Sequence, residues 1–187
     1  SAAIDNAATL SEVEDLYRPY KQKRRTRATA AREKGLAPLA DAIFAQERNA
    51  KTPEELAKDF LNPELGVETI EDALAGANDI IAEQISDDAE LRKGLRAMTQ
   101  KKAVCASKPA KEDEDSVYRL YYDFTQPVSK LQSHQILALN RGEKEGFLKV
   151  SLDLDRAACL QLIKRSVVRP GNACMTFVAA AAEDSFD

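Results

Sequence analysis

TIEDALAGANDIIAEQIS, Thr69 to Ser86, is the stretch on which the reading of the fold turns. Ile70, Ala73, Leu74, Ala77 and Ile81 recur at intervals of three and four, so they share one side of a helix. Thr69 precedes the stripe and Asp72 follows three residues later, an approximate capping box that marks the helix start. A stripe of this kind is stable only when it is buried, at roughly 1.5–3 kcal/mol for each large apolar side chain.

The flanking sequence supplies partners. Leu36, Leu39, Ala40, Ile43 and Phe44 form a second stripe, and Leu91, Leu95 and Met98 a third. Thr52-Pro53-Glu54-Glu55 combines a capping hydroxyl, proline at the first helical position and an acid at the third. Ser11 with Glu14, and Asp87 with Glu90, repeat the spacing. Breaks at Asn49 to Lys51 and Asn62 to Gly66 are short enough for a compact antiparallel array.

Composition points the same way. The 187 residues are 44% hydrophobic and 31% charged, with many alanines and no Trp, which favours helix over a β-sandwich. The net charge is -4, so a nucleic-acid contact has to be local rather than spread over the whole surface. No apolar run approaches a membrane span, and no secretory signal opens the chain. Cys105, Cys159 and Cys174 are widely spaced with no CxxC pair, as expected of reduced, buried thiols in a cytoplasmic protein.

Lys108 to Asp115, KPAKEDED, breaks the helical pattern and reads as an exposed loop between two helical subdomains, 1–108 and 116–187. Beyond it, Val117, Leu120, Tyr121 and Phe124 have helical spacing up to a stop at Pro127. Ser133 can start a helix through Ile136, Leu137 and Leu139, with Gly142 as its left-handed stop. Gly146 to Leu152 is the best strand candidate, and its partner is either the segment around Cys105 or another chain. Asp155 can cap an amphipathic helix carrying Leu160, Leu162 and Ile163. The helix-forming end, Val178 to Asp187, has no stop signal, which suggests a piece of a longer protein. The expected fold is mainly α: a multi-helix array with helix-turn-helix-like packing, possible within 53–104, and one short β element.

The chemistry-bearing feature is LYRPYKQKRRTRATAAREKG, Leu16 to Gly35. Lys21, Lys23, Arg24, Arg25 and Arg27 put five positive charges into seven residues, with Tyr17 and Tyr20 alongside as stacking surfaces. From the residues alone two readings stand level: a phosphate-binding surface, or a connector whose arginines pair with acids such as Glu12, Glu14 and Asp15. Arg141 can bind phosphate or cap carbonyls at its helix end. His134, the only histidine, is expected to be structural; an enzyme centred on His134 and Asp153 is the rival. No phosphate loop, GxGxxG or HExxH appears, and no metal site, cofactor or catalytic set is expected.

Three segments in order carry a resemblance: Leu16 to Ala40, Asp79 to Ser86 followed by Leu91-Arg92, and SHQILALNRGEKEGFLKVSL from Ser133 to Leu152. Together they resemble the N-terminal region of the Tex family of bacterial transcription accessory proteins. Gln22 stands where relatives often carry Pro, and Gln135 where Arg is usual. The resemblance implies a cytoplasmic, nucleic-acid-binding protein related to a eukaryotic transcription elongation factor. It also implies further domains in the full chain: ribonuclease-H-like, helix-hairpin-helix, and an S1 domain as the main RNA-binding part. The implied partners are RNA or DNA, the transcription machinery, and those remaining domains. Phosphate contact is then favoured for Lys21, Lys23, Arg24, Arg25 and Arg27, within a non-catalytic module; a pure protein-interaction scaffold is the alternative.

Overall fold

The structure, a computed structural model, describes residues 25–48, 51–111 and 116–186. Among these it is mainly helical with a small three-stranded sheet, as expected of the fold class. The helices are α1 (residues 25–33), α2 (Ala37–Ala45), α3 (Pro53–Ala57), α4 (Ile70–Ser86), α5 (Ala89–Lys102), α6 (Ser133–Lys144), α7 (Arg156–Val167) and α8 (Met175–Phe186). The strands are β1 (Val104–Pro109), β2 (Phe124–Pro127) and β3 (Leu148–Asp153). The described residues fall into two compact units: those within 93–159 form one, and those within 25–92 and 160–186 form the other. The units are not consecutive in sequence, and residues 108–111 lie inside the first.

In the second unit α4 packs against α2, α3 and α8. Its start is a full capping box: Asp72 N–H donates to Thr69 Oγ1, and the Asp72 carboxylate accepts from Thr69 N–H. Thr52 caps α3 in the same manner, accepting from Glu55 N–H at 3.2 Å. The expected stripes are the buried ones: Leu36, Leu39, Ala40 and Ile43 from the second helix, Ala73, Ala77 and Ile81 from the fourth. Ile80, Ala82 and Ile85 widen the buried face of α4, against Val178, Ala181 and Ala182 on the buried side of α8. Many of these side chains are small, so the helices approach closely. Gly76 marks the tightest point: a methyl there would collide with buried Leu36 and press on Ala31.

Two helix ends follow one rule. After α1, Leu36 N–H reaches Ala31 O and Gly35 N–H reaches Arg32 O, with Gly35 at φ 77°. After α6, Phe147 N–H reaches Gly142 O and Gly146 N–H reaches Glu143 O, with Gly146 at φ 83°. Both are Schellman stops, which need a left-handed residue and so favour glycine. The expected stop at Gly142 is therefore corrected: Gly142 lies inside the helix, buried beside Leu148 and Tyr118, where a Cβ would not fit.

The sheet belongs to the first unit and is antiparallel, in the order β2-β1-β3. The strand expected around 146–152 is β3, and its partner is the segment of Cys105. The helix expected over 117–124 is not formed. A 3-10 turn at Arg119–Tyr121 leads into β2, which pairs with β1. Val117 and Leu120 are 88% and 85% exposed, so the apparent stripe covers nothing, and the ladder to β1 takes the backbone instead. The sheet's inner side joins Ala103, Cys105, Tyr118, Val128, Leu139 and Leu148 in one core. Lys108 and Pro109, read as loop, extend β1.

Two caps also shift. Asp88 rather than Asp87 caps α5, accepting from Leu91 N–H at 2.9 Å. Gln132 and Gln135 form the capping box of α6, in place of Ser133. Asp155 caps α7 as expected, accepting from Ala157 N–H and Ala158 N–H. The three cysteines are free and buried. The Ser11 and Glu14 pair lies outside the described residues.

Replacing Gly142 with Ala sets overpacking against helix propensity. The collision with Leu148 costs about 1–3 kcal/mol, while Ala in place of Gly returns at most about 1 kcal/mol. The expected result is a lower urea midpoint; a raised midpoint would show that Leu148 moves aside freely.

Candidate nucleic-acid interface

Three of the candidate cations, Lys21, Lys23 and Arg24, lie outside the described residues, as do Tyr17 and Tyr20. Arg25 and Arg27 lie in the described part of α1, and Arg32 stands near its end. Ala28 and Ala31 on the same helix are buried, which turns the arginines toward the rim of the α1–α4 contact.

That rim is acidic. Asp79, Glu83 and Asp87 recur every four residues and so line one side of α4 and its end. Arg32 Nη1 donates to both carboxylate oxygens of Glu83 at 3.2 and 3.3 Å. Arg25 Nη2 lies 3.5 Å from Asp87 Oδ1, and Arg27 Nε lies 3.8 Å from Asp79 Oδ1. Asp87 is shared with Arg92, whose Nη2 is 3.3 Å away while its Nε donates to Ser86 O. The guanidiniums are not sealed in: Arg25 and Arg27 keep 58% and 50% of their side-chain surface exposed. Ion pairs this exposed contribute about 0–1 kcal/mol each, so a competing anion has little to displace. Arg32 and the acid ladder were not singled out from sequence, although the four-residue spacing of Asp79, Glu83 and Asp87 was there to be read.

Arg141 belongs to the other unit. It is exposed in the last turn of α6, and its carbonyl accepts from Glu145 N–H. Its charge acts on Tyr118, whose hydroxyl donates to Glu145 Oε2 at 2.7 Å. Burial, then the hydrogen bond and charge of Glu145, push the Tyr118 hydroxyl up from its ordinary value; Arg141 opposes them.

The chemistry for catalysis is thin in the same region. His134 is exposed in the first turn of α6, not packed in a core as expected of a structural histidine, and no hydrogen bond or ion pair joins it to Asp153. Burial raises the thiols of Cys159 and Cys174, with Asp155 and Glu54 adding to the effect, so neither is an activated nucleophile. Among the described residues no group of three His, Cys, Asp or Glu is placed to hold a metal ion. Among them, too, no helix is long and apolar enough to cross a membrane.

With this geometry in hand, comparison with known proteins is informative. The family model described as Tex central region-like matches residues 48–183. Protein tex of Bordetella pertussis is 44% identical over 154 residues, 81% of this chain and 19% of that protein. Transcriptional accessory protein Tex of Neisseria gonorrhoeae is 39% identical over 153 residues, 81% of this chain and 20% of that protein. Human S1 RNA-binding domain-containing protein 1 is 31% identical over 163 residues, 81% of this chain and 16% of that protein. The chain thus spans about a fifth of the length of the curated relatives it matches.

Replacing Arg32 with Met keeps the aliphatic stem and removes the charge. The expected loss of stability is under about 1 kcal/mol, read by thermal denaturation in low and moderate salt. A larger loss would mean that the α1 cations are held too firmly to exchange partners.

Proposed function

Because the chain belongs to the Tex family, we propose that it is a non-catalytic module of a transcription-associated nucleic-acid-binding protein in the cytoplasm. It docks weakly on RNA or DNA phosphates through Lys21, Lys23, Arg24, Arg25 and Arg27, with Arg141 as a separate contact. It also packs against the remaining domains of the full-length protein, and the transcription machinery is a further partner. The observation that carries this reading is the half-exposed state of Arg25 and Arg27 on α1, each held by a displaceable surface pair. The names of the relatives, which speak of transcription and of RNA binding, support it. A helix-turn-helix role within 53–104, without sequence-specific base reading, belongs to the same reading.

A second reading has its own support. Arg25, Arg27 and Arg32 all pair with carboxylates of the same chain, as a connector in a pure protein-interaction scaffold would.

Salt separates the two. Phosphate docking predicts that log affinity for a single strand falls with log salt by roughly 0.7 for each phosphate contacted. Replacing Arg24, Arg25 and Arg27 with Glu is expected to flatten that slope and weaken low-salt binding about tenfold or more. Binding that ignores these replacements removes the α1 reading, and no binding at low salt leaves the scaffold.

A further inference from the structure

Among the described residues, the sheet of the Lys93–Cys159 unit is covered on one side and open on the other. Cys105 and Ser107 of β1, Leu148, Val150 and Leu152 of β3 and Phe124 of β2 turn toward the core or are partly buried against it. The alternate residues share the opposite face, because side chains switch sides at every residue of a strand. They form cross-strand rows: Thr125, Ala106 and Ser151 in the middle, Pro127, Val104 and Asp153 at one end, and Lys108 directly opposite Lys149 at the other. Thr125, Ser151, Lys108 and Lys149 are exposed.

Two like charges directly opposed on an antiparallel ladder repel each other. Neither lysine makes an ion pair with a described residue. A lysine on an edge strand wards off pairing with another sheet; Lys149 lies on the edge strand β3, and Lys108 lies one residue past the last pair of β1 with β2, Ser107 opposite Phe124. Beyond the row, Ala110 N–H donates to Phe147 O, and Lys111 Nζ stands 5.1 Å over the partly exposed Phe147 ring. Among the described residues the nearby acids are Asp123 just before β2, Asp153 at the far end of β3, and Glu143, which is engaged with Val150 N–H; in the sequence Glu112 to Asp115 follow Lys111. Between Lys93 and Cys159 twelve Lys and Arg stand against nine Asp and Glu, a local surplus in a chain of net charge -4.

We propose that this open sheet face binds the phosphate backbone of single-stranded nucleic acid. Lys108 and Lys149 contact phosphates, and the anion relieves their mutual repulsion. The Thr125 and Ser151 hydroxyls are neutral donors on a floor kept low by Ala106. The ligand class is that of the α1 reading, but none of its residues are used.

The test is fluorescence anisotropy of labelled oligo(U) and oligo(dT) with the 187-residue chain, at about 50 mM salt and above. The K108Q/K149Q variant is expected to bind at least about fivefold more weakly, with the salt slope reduced by about 1.4, two contacts' worth. Its melting temperature should be unchanged or higher, because the repulsion is gone. A fall in melting temperature with the loss of binding would make the lysines structural and overturn the proposal. So would affinity within about twofold of the parent, or an equal loss in a K51Q/K58Q control on the other unit. The R24E/R25E/R27E variant, run alongside, reports on the α1 reading separately. If the parent chain does not bind at low salt, both proposals fail.

Discussion

The close approach of helices on α4 is the constraint from which the rest of its unit follows. Ala73, Gly76 and Ala77 give α4 a low surface, and Ala181 and Ala182 give α8 another. Low surfaces let backbones come near, and near backbones bury the larger Leu36, Leu39, Ile43, Ile80 and Ile81 completely. Gly76 is the limiting case, since Leu36 and Ala31 occupy the space a side chain would need. The turn at Gly35 then brings α1 back along α4, and Ala28 and Ala31 seat it.

That seating decides what the arginines meet. A helix laid along α4 by small residues necessarily carries its long side chains over the neighbouring turns of α4, and those turns bear Asp79, Glu83 and Asp87. The same contact therefore creates the cationic rim and partly neutralises it. The pairs orient the guanidiniums without removing them from water. The lysines of the sheet are in the opposite condition: opposed to each other and paired with no described acid. Two kinds of basic feature thus coexist in a chain whose overall charge is negative.

Helices with a cap and a buried stripe were legible from the sequence. For residues 53–57 and 70–81 the capping hydroxyls, and for 36–44 and 70–81 the apolar spacing, are local signals, and the packing did not override them. Residues 117–124 show the limit of that method. Val117, Leu120, Tyr121 and Phe124 have helical spacing, yet spacing says nothing about whether a partner surface exists. Here β1 offered backbone hydrogen bonds to Phe124–Pro127, and no element covered Val117 or Leu120. The glycines misled for a related reason. Gly142 and Gly146 look alike in sequence, but only the second has the left-handed backbone, while the first yields space to Leu148. Of the candidate site, the basic run was visible at once; the acids that answer it were not, being some fifty residues away in sequence.

The sequence by itself determined the helix-rich character, the capped starts of α3, α4 and α7, the strand near Val150 and the concentration of cations between Lys21 and Arg27, because each is encoded within a few neighbouring residues. Only the tertiary structure decided that Arg25, Arg27 and Arg32 face the α4 carboxylates, that β1 lies between β2 and β3, and that Lys108 meets Lys149. Those pairings join residues far apart along the chain, and which distant side chains meet is set by how closely the elements can pack, not by their own spacing.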